Sequence, residues 1–168
     1  MLKKSIIIFL SLILLISCGG PEKDADGYWE SAGALADVGN YEGAVAQYKN
    51  ILEYYPSDSL ASKALLRIGE IKRSKTKKYE EAINTYQQYI NKYPQSSSTP
   101  NALFMIAYVY ANDMQNYEKA KSAYNKFIEK YPDHELVPSA KWELKNMGQD
   151  IQNIIQSEGI TMDSIPAN

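Results

Sequence analysis

One stretch of the sequence is written three times: NYEGAVAQYKNILEYYP at Asn40 to Pro56, KYEEAINTYQQYINKYP at Lys78 to Pro94, and NYEKAKSAYNKFIEKYP at Asn116 to Pro132. Pro56, Pro94 and Pro132 therefore fall 38 residues apart. Within the copies, Ala44, Tyr48, Ile51 and Leu52 recur at i, i+4, i+7 and i+8, as do Ala82, Tyr86, Tyr89 and Ile90, and Ala120, Tyr124, Phe127 and Ile128. That spacing gathers each set on one face of a helix. The closing proline ends the helix, because it has no N–H and pushes the preceding residue out of the α region. One such helix cannot bury its own apolar stripe, so the triple repeat implies stacking against neighbours in a solenoid.

A partner helix precedes each copy. In the second unit it is Ser59 to Ser74, in the third Thr99 to Asn112, and in the first about Ala25 to Val38, with Gly39 as its stop. Ala64, Ala102 and Ala140 again fall 38 apart, as do Ile68, Ile106 and Leu144, so the period spans a two-helix unit and begins a fourth. Ser57, Ser59, Ser96 to Ser98 and Asp133 supply N-cap candidates. In the fourth first-helix, about Val137 to Met147, Lys141 and Lys145 replace the apolar Leu103 and Ala107, so the repeat array is expected to end there as a cap. A short helix over Asp150 to Ser157 is expected to fold back through Ile151, Ile154 and Ile155, with a frayed tail from residue 158 to 168.

These units resemble the tetratricopeptide repeat, a helix-turn-helix with small residues where its helices cross, an aromatic midway along the second helix and a closing proline. The matching residues are Gly69 or Ala107 in the first helix, then Tyr41, Ala44, Tyr48 and Pro56 with their counterparts. The period of 38 exceeds the 34 usual for the family, the extra residues lying in the interhelical linkers and in Arg73 to Lys77. The run from Tyr55 to Leu65 is similar to the subgroup found in bacterial envelope lipoproteins such as the β-barrel assembly component BamD and the periplasmic coordinator CpoB. The resemblance implies an all-α, right-handed α-solenoid of about three units (25–56, 59–94 and 99–132) plus a C-terminal capping helix (137–157). It also implies a protein-interaction scaffold rather than an enzyme.

The first residues read as targeting. Lys3 and Lys4 form a positive n-region, and Ile6 to Ile16 is an apolar run too short to span a bilayer, so residues 1–17 are expected to be a signal peptide. Leu15-Ile16-Ser17-Cys18, followed by Gly19, resembles a bacterial lipobox, which implies a lipid on Cys18 and a short linker over residues 18–24. Cys18 is the sole cysteine, so no intramolecular disulfide is available to an exported chain. Gly19, where an aspartate would retain a lipoprotein on the inner membrane, makes the expected location the outer membrane, facing the periplasm.

Chemistry is sparse. Removing Lys3 and Lys4 from 18 basic residues leaves 16 against 20 acidic ones, a net charge of −4, which offers no basic excess for nucleic acid. Neither a glycine-rich phosphate loop nor a Cys/His cluster is present, so neither cofactor nor metal is expected. The single histidine, His134, lies between Asp133 and Glu135 in a linker, where adjacent residues do not converge on one ion and capping is the natural role. Nine of the 14 tyrosines occupy three repeat positions and are assigned to the core and inter-helix contacts.

What remains is a binding surface. In tetratricopeptide folds the first helices line the concave face, and the repeat register then places Trp29, Lys63, Leu66, Arg67, Glu70, Asn101, Phe104, Met105 and Tyr108 in a groove for an envelope protein or peptide segment. A plain core role for Leu66 and Phe104 is the alternative, since Leu65 and Leu103 beside them must be buried. A lipoprotein that binds small solutes or glycans is the alternative function; a buried apolar pocket would favour it.

Overall fold

The computed structural model describes residues 20–149. The signal segment, Cys18, the expected helix over Asp150 to Ser157 and the tail lie outside the described residues. The described residues form seven α-helices and no strand: α1 (Ala25–Asp37), α2 (Tyr41–Tyr54), α3 (Ser59–Ser74), α4 (Tyr79–Lys92), α5 (Thr99–Tyr108), α6 (Tyr117–Lys130) and α7 (Val137–Asn146). Each helix packs on the next in chain order, as a solenoid requires. None of them is long and apolar enough to cross a membrane.

The repeated stretch forms α2, α4 and α6, and its apolar stripe is the core. Ala44, Ala82 and Ala120 are fully buried, and Tyr48, Tyr86 and Tyr124 keep at most 4% of their surface exposed. Each helix stops just before its proline. Tyr55, Tyr93 and Tyr131 leave helical geometry, with φ near −130° and ψ near 55°, because the following proline ring disfavours the α region, while their N–H groups still donate to Ile51, Tyr89 and Phe127 carbonyls.

The starts of these helices are equally local. Asn40 and Asn116 accept hydrogen bonds from the Gly43 and Lys119 N–H groups, whereas Lys78, at the same position, has no capping oxygen. Just upstream, Gly39, Lys77 and Gln115 all take positive φ (80°, 55° and 52°), so the turn between paired helices passes through one left-handed residue in every unit.

Several details differ from the sequence-based expectations. The first helix of the third unit is not α-helical to Asn112; its last turn, Val109–Asp113, is a π-helical turn in which the Met114 N–H reaches back five residues to the Val109 carbonyl. The cap of α3 is Asp58, whose carboxylate accepts from the Leu60 N–H at 2.7 Å, rather than Ser57 or Ser59. Ser98 stands at the start of α5 in helical geometry, so its hydroxyl does not reach back over the first turn, and α7 begins from Leu136 rather than Asp133. His134 does act as a local cap, its Nδ1 accepting from the Leu136 N–H at 3.2 Å while its ring meets Phe127 edge-on. Of the repeat tyrosines, Tyr117 is 40% exposed, its ring beside Gly148 at the end of α7.

Candidate functional site: the face of the first helices

In the first helices α1, α3 and α5 a small, buried residue marks one register position: Ala32, Gly69 and Ala107. Three residues before each of these small residues stands a large apolar one, and Trp142 takes the matching place on α7, giving the row Trp29, Leu66, Phe104 and Trp142. Exposure along this row is uneven. Trp29 and Leu66 are half-buried, Phe104 is down to 9%, and Trp142, which no described second helix covers, is 48% exposed.

Of the expected groove residues, Lys63, Arg67, Glu70 and Asn101 are exposed, and Met105 and Tyr108 half-buried. Phe104 is a correction. It packs edge-on against Tyr124 and Phe127, at ring centroid distances of 5.5 and 5.7 Å, and is part of the core between α5 and α6. A residue turns about 100° around a helix from its neighbour, so a ring this long at the margin of the apolar stripe swings into the interface instead of the groove.

Leu66, Glu70, Asn101 and Met105 come together around one hollow of about 330 Å³ between α3 and α5. Four further residues line it that the sequence reading did not assign to the groove: Arg73, Tyr86, Ser98 and Ala102. Arg73 could have been found, since it stands seven residues after Leu66 and three after Glu70, on the same helical stripe. Its Nε donates to the Asp113 carboxylate at 2.7 Å, and its guanidinium lies over the Tyr108 ring at 4.7 Å. Both carboxylate and guanidinium are largely shielded from water, at 20% and 23% exposure, so the pair ties the second unit to the π-turn of the third. Arg67 pairs with Glu70 at 2.6 Å within α3, at the solvent. Lys63 has no acidic partner among the described residues.

Burial governs the acid–base chemistry here. Loss of hydration pushes the Tyr86 hydroxyl up to about 12, only partly offset by the Arg73 charge. Burial raises Tyr124 as well, with the Glu143 carboxylate adding to the effect. Both phenols are neutral at ordinary pH, and the buried Tyr124 hydroxyl has no hydrogen-bond partner among the described residues. Among the described residues no three His, Cys, Asp or Glu side chains converge as a metal site.

The family model of the tetratricopeptide repeat matches residues 63–96 and 101–134. The second and third units are tetratricopeptide repeats. The first unit repeats the same pattern at Tyr41, Ala44, Tyr48 and Pro56 and the same helix pair, so the described chain has the fold of a tetratricopeptide solenoid. Among solved structures it is similar to the Sgt2 tetratricopeptide domain from Aspergillus fumigatus, at 18% identity and a TM-score of 0.52 over 89% of each chain. A search of the curated proteins finds no match. Tetratricopeptide domains bind peptide or protein partners.

Proposed function

We propose that this chain is a lipid-anchored tetratricopeptide scaffold of the bacterial cell envelope that holds a protein or peptide partner against its first helices, in the manner of an accessory to outer-membrane protein assembly. The observation that carries the binding half is the hollow between α3 and α5, where apolar Leu66 and Met105 sit beside hydrogen-bonding Asn101, Ser98 and Glu70. A surface of that mixture suits a peptide, whose side chain needs an apolar seat and whose backbone needs polar partners. The anchoring half rests on sequence alone, on the apolar run Ile6 to Ile16 and the lipobox-like ending at Cys18.

Each half has its own test. Replacing Cys18 with Ser should leave the domain folded and move it out of the membrane fraction; a Cys18→Ser protein that still pellets with membranes after a high-salt wash would end the lipoprotein reading. A photoreactive residue at Asn101 should cross-link a partner in the native envelope. Capture from Gln87 in α4, with none from Asn101, would move the binding surface to the other side of the solenoid.

A second reading, solute or glycan binding, is favoured by one feature. A hollow of about 460 Å³ at the end of the solenoid sets the exposed Trp142 ring beside the amides of Asn112, Gln115 and Asn146. Titration with N-acetylglucosamine oligomers should quench Trp142 fluorescence in a Trp29→Phe background if this reading holds, and leave it unchanged if the scaffold reading is complete.

A further inference from the structure

The aromatic row on the first helices is interrupted in one unit. In the first, Trp29 meets Tyr48 edge-on, ring centroids 5.1 Å apart and planes at 65°. In the third, Phe104 meets Tyr124 at 5.5 Å and again 65°. Each ring stands three residues before the small residue of its helix, Ala32 or Ala107; three before Gly69 stands Leu66. Among the described residues no ring packs on Tyr86. Leu66 holds the ring's position, and the hollow of about 330 Å³ opens beside it with Leu66 and Tyr86 both in its wall.

We propose that this hollow takes an aromatic side chain from the partner peptide, which supplies from outside the ring that the second unit lacks. The proposal rests on the reading of the first-helix face as a peptide groove and names the anchor that groove selects. The lining favours an aromatic over an aliphatic group. The Tyr86 ring offers an edge-to-face partner, the Met105 thioether a sulfur–aromatic contact and the Arg73 guanidinium a cation for a π face; each attracts a π system more than a methyl group. Charge fixes what lies beside the anchor. On the α3 side Arg67 is paired with Glu70 while the exposed Lys63 has no acidic partner among the described residues, and on the α5 side Asn101 and Met105 are uncharged, so an acidic residue next to the aromatic one fits the α3 side.

The test uses the full chain in detergent, panned against a phage-displayed library of random dodecapeptides, with Leu66→Trp as the counter-screen. Leu66→Trp places the missing ring on the protein itself. It should raise the melting temperature and weaken the selected peptides at least about tenfold, and those peptides should be enriched in Trp, Tyr or Phe beside Asp or Glu. Peptides that lose binding on Leu66→Trp but carry no aromatic residue overturn the proposal and leave the groove reading standing. Peptides indifferent to Leu66→Trp overturn the groove reading as well. A lower melting temperature for both Leu66→Trp and Leu66→Phe shows that the hollow does not accept a ring, which also overturns the proposal. Should panning yield no binder, N-acetyl-tryptophanamide is added to methyl-labelled protein. An upfield shift of the Met105 methyl, absent for Met114 and absent with N-acetyl-leucinamide, supports the proposal, and no such shift overturns it.

Discussion

Gly69 in α3 approaches Tyr86 in α4 so closely that a β-carbon built on it would stand 2.7 Å from the Tyr86 Cε1 atom. The contact shows how these helices cross: a ring from the second helix lies directly on the backbone of the first, and only hydrogen leaves room for it. Two effects compete on replacing Gly69 with Ala. Helix propensity would gain up to about 1 kcal/mol, while overpacking a buried ring costs typically 1–3 kcal/mol. Tyr86 is 4% exposed and cannot swing away, so overpacking is expected to win, with a net loss of about 1–2 kcal/mol by urea denaturation. An unchanged midpoint would mean that the crossing relaxes freely.

Truncating the other partner should cost more. Tyr86→Ala empties the centre of the second unit and is expected to lose about 3–5 kcal/mol, the range for large aromatic truncations in cores. A loss below about 1 kcal/mol, the scale of a surface change, would remove Tyr86 from the core.

The same phenol predicts a pH dependence. Its folded pKa, about 12, lies above the ordinary value of 10, so the folded state holds the proton more tightly than the unfolded chain. That contribution is complete below pH 10 and is lost as the pH rises from 10 through 12. Two units correspond to about 2–3 kcal/mol. Stability should therefore fall steeply in that window and less steeply in Tyr86→Phe, with Tyr124 accounting for much of what remains. Equal slopes for both proteins would show that Tyr86 ionises as freely when folded as when unfolded.

The turn between paired helices offers a gain instead. Lys77 holds φ at 55° where the first unit has Gly39 at 80°, and a side chain in the left-handed region costs about 1–2 kcal/mol. Glycine returns part of that as unfolded-chain entropy, about 0.5–1 kcal/mol. Lys77→Gly should raise stability by about 0.5–1 kcal/mol, and Lys78→Asn, which restores the cap present in the other two units, by about 1 kcal/mol. A fall on Lys77→Gly would mean that the exposed lysine contributes something its surroundings do not reveal.

How much of this was legible beforehand follows the range of the interactions. The prolines and the burial of Tyr48, Tyr86 and Tyr124 could be read because each depends on residues within one or two helical turns, and the 38-residue period repeats that local pattern three times. The bounds of α3, Ser59 to Ser74, match the expectation for the same reason. The π-turn at Val109–Asp113 could not, since five-residue hydrogen bonding leaves no mark in side-chain periodicity. Phe104 was misjudged by one step around a helix. Arg73 and Asp113 meet across 40 residues of chain, and nothing in either neighbourhood names the other.

That last pair carries its own prediction. The Arg73–Asp113 bond is one of the polar ties between the second and third units, is mostly shielded from water, and positions the guanidinium over Tyr108 at the edge of the hollow. Removing one member leaves the other partly buried and unpaired, which is costlier than the net value of the pair. Arg73→Met and Asp113→Asn should each therefore destabilise by about 1–3 kcal/mol, and the double variant by less than their sum, with a coupling of about 1–2 kcal/mol. Arg73→Met should be the worse of the two, because it also strips the cation from the Tyr108 ring. Strict additivity in urea denaturation would reduce the pair to a chance contact, and the hollow beside it would then owe its shape to apolar packing alone.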